Sequence, residues 1–174
     1  MIGSLETRLE AAIQNHEMID AMLRGTAAFA QYKERLPFVT QSYTRTLLVK
    51  RPDFELVAMQ WAPGSVSELH DHGDARCWVA VVEGTIDVEN FERRDRSVMG
   101  PHAELKFTES IRVATGDVDY RLNRRELHRV RNTAECSAYS LQIYSPMLSQ
   151  YRVFDEQTGF GRTALAYYDS MVKL

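Results

Sequence analysis

Little in this sequence suggests a membrane protein, a disulfide scaffold or a nucleic-acid-binding protein. It has no run of about 18 apolar residues that could cross a membrane, and Glu6, Arg8 and Glu10 interrupt any apolar core of a signal peptide. Its two cysteines, Cys77 and Cys136, are too few for a disulfide framework. The net charge of −3 gives no field that attracts phosphate backbones. We therefore expect a cytoplasmic protein that binds neither nucleic acid nor membrane.

The chain of 174 residues has the length of one domain with its own core. Apolar residues at helical spacing fill the first part of the sequence, and the pattern changes after Pro37 to short β-rich segments. We predict an N-terminal helical segment at 1–36 that packs on a β domain at 37–174, in a single structural domain overall.

Seven segments after Pro37 have the composition of strands and are separated by turn signals. They are 43–50, 54–61, 77–82, 85–91, 111–114, 127–131 and 137–144. So many short strands predict an all-β sandwich or barrel. The stretch 163–173 is ambiguous between strand and helix.

Three of the seven histidines and cysteines lie within eight residues, in the segment 69-LHDHGDARCWVAVVEG-84. In an extended segment His70 and His72 project to the same side and could bind one ion, while Asp71 points away. A lone His-x-His is more often a hydrogen-bonded pair at a strand edge. Either all three residues bind a metal, or Cys77 has a different task.

The spacing around these histidines matches the first sequence motif of the cupins, proteins built on a double-stranded β-helix or jelly-roll barrel. The matching residues are Gly64, His70, His72, Cys77 and Gly84, separated by five, one, four and six residues. Gly116, His128 and Asn132 loosely resemble the second cupin motif, which provides a third histidine. We therefore predict a cupin barrel in which His70, His72 and His128 bind a metal.

Cys77 stands where the cupin motif usually has a glutamate. Three neutral imidazoles without a carboxylate leave a divalent ion uncompensated, which favours direct binding of an anionic substrate. Imidazole suits zinc, copper, iron or nickel, so the ligands alone do not identify the metal.

A cupin with cysteine at the glutamate position resembles the cysteine dioxygenase family, the iron(II) thiol dioxygenases. The other segments that resemble this family are 43-YTR-45, 128-HRVRN-132, 140-SLQIYSP-146 and 154-FDEQTG-159. In the order in which they occur, they span about two-thirds of the chain.

The resemblance implies an activity and a cofactor. His70, His72 and His128 would bind Fe(II), and a small thiol carboxylate, cysteine or a related mercapto acid, would bind as its thiolate. Both atoms of O2 would be added to the sulfur, giving the sulfinic acid. We expect such an enzyme to be a monomer or a weak oligomer.

The resemblance also assigns the substrate-binding residues. Arg45 would bind the substrate carboxylate through two planar donors, a geometry that lysine does not offer. Tyr43 would support the arginine or the substrate from the same strand face. The alternative for Arg45 is a surface arginine paired with a carboxylate such as Glu55.

The resemblance gives Cys77 a partner other than the metal. In relatives that have this cysteine, it can form a thioether crosslink with the tyrosine that corresponds to Tyr144. The alternative is that Cys77 is a small buried apolar residue, as free cysteines commonly are.

Gln142 departs from the family pattern, because relatives have a histidine in the Ser-x-His-x-Tyr segment that corresponds to Ser140, Gln142 and Tyr144. Glutamine can hydrogen-bond Tyr144 but cannot titrate. A positioning role can survive this change, whereas a proton relay is lost. The preferred thiol could also differ, with 3-mercaptopropionate and mercaptosuccinate as candidates.

Two other functions are compatible with the histidine cluster. One is a different metal-dependent cupin enzyme, such as an isomerase or a carbon-cleaving dioxygenase, although such an enzyme needs no set of Arg45, Cys77 and Tyr144. The other is a non-catalytic cupin that binds a ligand or senses metal or oxygen. We assign His102 to the surface and Cys136 to the reduced structural thiols.

Overall fold

The computed structural model describes residues 33–34, 36–96, 100–122 and 124–172. These residues form twelve strands in two six-stranded sheets. The first sheet contains, in spatial order, β12 (Ser170–Met171), β1 (Tyr43–Lys50), β2 (Glu55–Trp61), β9 (Ala138–Ser145), β4 (Arg76–Glu83) and β7 (Val118–Arg121). The second contains β11 (Gly161–Leu165), β10 (Gln150–Phe154), β3 (Leu69–His70), β8 (Glu126–Arg131), β5 (Thr85–Arg93) and β6 (Leu105–Ala114).

The all-β prediction is confirmed, and each of the seven predicted strands is present. The predicted strand at 43–50 has the bounds of β1, whereas β6 begins at Leu105, six residues before its predicted start at Ile111. The ambiguous stretch 163–173 contributes strand residues to β11 and β12. Among the described residues, no helix is long and apolar enough to cross a membrane.

Three strands were not predicted: β3, β7 and β10. They are two to five residues long, which is too short for an alternation of apolar and polar residues to stand out in the sequence. All three contribute to the functional site described below. The predicted helical segment 1–36 lies almost entirely outside the described residues and stays a prediction.

The main core lies between the two sheets. Its buried residues include Val57 and Val79 from the first sheet and Val88 and Val130 from the second. The outer face of the first sheet is also buried, around Trp78 and its neighbours, so β2 and β9 have no exposed residue. In a sequence, strands that are buried on both faces appear as continuous runs of apolar residues with few polar ones. A polar residue on the inner face of such a strand therefore needs a specific partner.

The two glycines that bound the first histidine motif occupy turns with positive φ, +75° at Gly64 and +79° at Gly84. A Cβ at Gly84 would approach Ala138 to 3.0 Å, so this turn requires glycine for space as well as for conformation. The amide of Gly64 donates to the carbonyl of Asn132, 2.9 Å away, which ties the first motif to the second.

Candidate metal centre

Three histidines converge in the interior between the sheets, although they come from two distant parts of the chain. His70 ends β3, His72 follows in the next loop, and His128 lies in β8, where it is the register partner of His70. One ring nitrogen from each lies within 4.8 Å of the others. The ring centroids are 4.7–5.1 Å apart. The structure thus brings together the three residues predicted to bind a metal.

The buried residue between the first two histidines fixes the loop that carries them. The side chain of Asp71 points away from the cluster, as predicted, and its Oδ1 accepts the amide protons of Gly73 at 3.0 Å and Arg152 at 2.9 Å. The amide of Asp71 in turn donates to the carbonyl of Arg152. These bonds hold the loop against β10, so that His72 lies next to His70 and His128, the paired residues of β3 and β8.

The protonation state of the three rings suits a divalent metal. Burial lowers the pKa of His70 and lowers those of His72 and His128 well below the usual histidine value. The rings are therefore neutral at neutral pH, each with a lone pair for a metal. Nδ1 of His70 lies 2.7 Å from the carbonyl of Glu68; as the donor of that bond it leaves Nε2 as the ligand atom. Three close, neutral imidazoles fit a zinc, copper, iron or nickel ion.

Arg45 is a buried arginine whose guanidinium faces a cavity next to the histidines. Its Nε donates to the carbonyl of Tyr167 at 3.1 Å, and its backbone amide donates to Asp169 at 2.8 Å. Nη1 donates to the hydroxyl of Tyr144 at 3.5 Å, while Nη2 is buried and has no hydrogen-bond partner among the residues that the structure describes. An unsatisfied buried donor on a charged group is costly, so this atom suits an anionic ligand.

The alternative of a surface arginine paired with Glu55 is wrong for Arg45. The arginine is 8% exposed. Glu55 accepts hydrogen bonds from the hydroxyl of Tyr168 and the amide of Leu148. The carboxylate of Glu55 is thus engaged by other groups, and Nη2 of Arg45 stays open among the described residues.

Cys77 and Tyr144 are direct cross-strand partners on β4 and β9, and both side chains are buried. Burial raises the pKa of the Cys77 thiol, and among the described residues the sulfur is not part of the group of close ligand atoms that the three histidines form. The hydroxyl of Tyr144 donates to the side-chain oxygen of Gln142 and accepts from Arg45. Burial also raises the pKa of Tyr144, which keeps the phenol neutral.

Tyr43 and Ser140 both contact Trp61. The rings of Tyr43 and Trp61 lie 4.9 Å apart, and burial raises the pKa of Tyr43 to about 12. Ser140 accepts a hydrogen bond from the indole nitrogen of Trp61 at 3.0 Å. Its hydroxyl is thus engaged by Trp61, whereas Tyr144 is engaged by Gln142.

A narrow cavity joins most of the predicted site residues. Those that line it are Tyr43, Arg45, His70, His128, Gln142 and Tyr144, whereas His72, Cys77 and Ser140 lie behind its walls. A larger groove of about 640 Å³ lies on the outside of the second sheet and contains none of these predicted residues. Charged pairs such as Arg162–Glu68 border this groove.

Sequence reasoning missed three residues that shape the site: Asp119, Tyr167 and Asp169. Asp119 lies on β7, which was not predicted, and faces His128. Tyr167 and Asp169 hold Arg45 from a segment more than 120 positions away. A polar residue that alternates with apolar ones in 118-VDYR-121 was the available signal for Asp119.

Replacement of His128 by alanine tests the metal centre. We expect the native protein to bind one divalent ion per chain and the variant to lose affinity by about 100-fold or more, because one of three ligands is removed. Anaerobic titration with Fe(II) or Co(II), followed calorimetrically, measures this. His102→Ala is the matched control, because His102 is exposed and contacts Phe160 outside the site. Equal affinities of the two variants would contradict the assignment.

Comparison with known proteins identifies relatives over most of the chain. Residues 7–157 match the family described as cysteine dioxygenase type I. Cysteine dioxygenase type 1 of Danio rerio is 30% identical over 142 residues, which cover 79% of this chain and 63% of that protein. The Bos taurus protein of the same name is 27% identical over 164 residues, covering 93% of this chain and 76% of that protein. The match to the Danio rerio protein thus spans less than two-thirds of its length.

Solved structures support the fold alone. A Thermus thermophilus protein aligns with a TM-score of 0.53 at 16% identity, covering 66% of this chain and 93% of that one. An uncharacterized Klebsiella pneumoniae protein with a double-stranded β-helix domain aligns with a TM-score of 0.50 at 15% identity, covering 78% and 93%. Together with the family match, these findings show that the chain has the cupin fold and belongs to the cysteine dioxygenase type I family.

Proposed function

We propose that this protein is an iron(II)-dependent thiol dioxygenase that converts a small thiol carboxylate to its sulfinic acid. The observation that carries the proposal is the shared cavity of Arg45 and the histidine cluster, in which a buried guanidinium donor lacks a partner. One end of the cavity thus suits a carboxylate and the other a metal that binds sulfur.

The reaction needs no further reductant. A thiolate and O2 combine to give a sulfinate, so four electrons leave sulfur and both oxygen atoms stay on the product. His70, His72 and His128 would hold the ion. When bound, Fe(II) would favour the thiolate form of the substrate and supply the redox chemistry that activates O2. The absence of a carboxylate from the three-histidine set leaves the anionic charge to be provided by the substrate.

Arg45 would fix the substrate by its carboxylate. The carbonyl of Tyr167 engages Nε, so the guanidinium is held in one orientation with Nη1 and Nη2 toward Tyr144 and the cavity. A guanidinium held in this way loses little side-chain entropy when it binds a carboxylate. The thiol at the other end of a short molecule would then lie near the histidines.

The size of the cavity supports a small substrate. Its free volume of about 20 Å³ corresponds to about one water molecule. The lining must therefore adjust even for a three-carbon thiol acid, and it would have to adjust far more for a peptide or a glutathione-sized thiol. Cysteine, 3-mercaptopropionate and mercaptosuccinate are the candidates, and the second carboxylate of mercaptosuccinate would need a further cation.

Tyr43, Ser140 and Gln142 would position the reacting groups. Tyr43 lines the cavity on the strand face of Arg45, and Ser140 holds Trp61, the ring against which Tyr43 packs. Gln142 accepts the hydroxyl proton of Tyr144. Because glutamine does not titrate, Gln142 orients Tyr144 without relaying protons.

A panel of thiols tests the function. We expect the anaerobic, Fe(II)-loaded protein to consume one O2 per thiol carboxylate after oxygen is admitted, and the product mass to show two added oxygen atoms. Oxygen electrode measurements and mass spectrometry of the product provide the readouts. Full iron occupancy without oxygen uptake on any thiol would favour the non-catalytic cupin, and oxidation at carbon would favour a different cupin enzyme.

Arg45→Lys tests recognition of the carboxylate. We expect kcat/KM for the preferred thiol acid to fall by about 10- to 100-fold, mainly through KM, because one charged hydrogen bond of about 1.5–3 kcal/mol is lost. The alcohol analogue of the same thiol, without a carboxylate, should change by no more than a few-fold. Arg112→Lys, on the exposed face of β6, is the control variant. An equal loss on acid and alcohol would argue against the carboxylate contact.

We also propose that Cys77 and Tyr144 form a thioether bond. One S–H and one ring C–H bond would be lost and an S–C bond formed, with two electrons and two protons passing to O2. Intact-mass analysis after turnover should show a loss of two hydrogens in the native protein and in Cys136→Ser, which alters the exposed cysteine. Cys77→Ser and Tyr144→Phe test the pair; an unmodified native mass would leave Cys77 as a buried apolar residue.

A further inference from the structure

We propose that Asp119 is a positioning residue of the metal centre, which accepts a hydrogen bond from Nδ1 of His128. The inference rests on the metal site of the proposed function. It adds a residue outside the histidine motifs, on a strand that the sequence did not reveal.

The register of β7 directs Asp119 into the interior. Asp119 pairs with Val79 and Arg121 with Cys77, and both partners belong to the core between the sheets. Tyr120, between them, packs on the opposite face against Trp78 with ring centroids 5.0 Å apart. Asp119 is 8% exposed, so it is buried among the groups that surround the histidines.

Two buried polar atoms face each other without a hydrogen bond. Oδ2 of Asp119 lies 3.8 Å from Nδ1 of His128, and among the described residues that ring nitrogen has no hydrogen-bond partner. A shift of about 1 Å would bring them into hydrogen-bond range. A metal bound at Nε2 requires the tautomer with the proton on Nδ1, which makes that nitrogen a donor. Metal binding at Nε2 therefore fixes the ring proton on Nδ1, from which the carboxylate is placed to accept a hydrogen bond.

The three histidine rings have different supports. His70 has the carbonyl of Glu68 at Nδ1, while Nδ1 of His72 has no hydrogen-bond partner among the described residues. Within the described part of the chain, His128 is the one ring of the three with a carboxylate at ion-pair distance. A carboxylate behind a ligating imidazole orients the ring and raises its basicity. Asp119 would thus strengthen the ligand that comes from the second motif.

Arg121 holds the carboxylate in place. Its Nη2 lies 2.8 Å from Oδ2 of Asp119 and also donates to the side-chain oxygen of Asn90. Asn90 is the register partner of His128 on β5. The network therefore links β7, β5 and β8 around one ring. A buried carboxylate needs such a counter-charge. Arg121 therefore anchors Asp119, and the carboxylate can still accept a hydrogen bond from His128.

Two variants test the inference. Asp119→Asn removes the charge, and Asp119→Asn/Arg121→Gln removes both charges of the pair, so that no unpaired buried arginine remains. We expect both to bind Co(II) and Fe(II) about 10- to 100-fold more weakly than the native protein. We also expect the visible absorption bands of the Co(II) protein to shift, because the basicity of one ligand changes. Asp87→Asn, from the exposed pair with Arg112, should leave both measurements unchanged.

The outcomes separate this role from a structural one. Thermal unfolding of the metal-free proteins reports whether each variant is folded. A folded double variant with affinity within about twofold of native and an unchanged Co(II) spectrum would overturn the proposal. The proposal would also be overturned if Asp119→Asn lost metal affinity and the double variant regained it, because the unpaired Arg121 would then be the cause of the loss. Since no thiol is present, failure of the dioxygenase assay leaves this test intact.

Discussion

The site depends on one antiparallel pairing, that of His70 in β3 with His128 in β8. β3 is two residues long, and its position is fixed from the other side by β10, through Leu69–Phe154 and the backbone of Asp71. A strand this short gains little from its own ladder, so the cluster relies on the larger sheet around it. The barrel thus provides what the sequence motif alone does not: a rigid frame that brings neutral rings from two distant segments to one point. In such a frame a ligand set is preorganised and loses little entropy when it binds a metal.

The charges around the cavity influence which ligands the site can bind favourably. The three histidines are neutral, and the cavity contains the guanidinium of Arg45 but no carboxylate among its metal-binding candidates. A divalent ion would add to this positive charge. A ligand with two anionic groups, a thiolate and a carboxylate, offsets both, whereas a neutral thiol offsets neither. Acidic residues lie nearby, and these are engaged: Glu55 by Tyr168, Glu68 by Arg162 and Asp119 by Arg121. The charges around the cavity therefore favour an anionic ligand over a neutral one.

The sequence predicted the parts of the site that follow from local pattern. The cupin-like spacing of His70 and His72 and the resemblance of His128 to the second cupin motif predicted the histidine cluster, and the β-rich segments predicted the barrel. Strand alternation alone would not have placed His72, because it lies in the loop after β3. The resemblance to the family predicted Arg45 as a site residue, but it did not predict the residues that orient its guanidinium. Tyr167 lies beyond the region of the family match, and its contribution is a backbone carbonyl, which leaves no trace in side-chain pattern. Asp119 was not predicted for a different reason. β7 is short and is preceded by a turn, so the residues that face the interior could be recognised only from the register of β7 with β4.

Gln142 shows how one substitution changes what a neighbouring tyrosine can do. The hydroxyl of Tyr144 has a single proton, and that proton is donated to the side-chain oxygen of Gln142. The oxygen of the same hydroxyl accepts a hydrogen bond from Nη1 of Arg45. Burial holds the phenol neutral by raising its pKa, and glutamine offers no titrating group to take the proton away. Gln142 and Tyr144 thus form a hydrogen-bonded chain that ends on Nη1 of Arg45 beside the cavity. Because neither glutamine nor the neutral phenol changes charge near neutral pH, we expect any pH dependence of turnover to come from other groups.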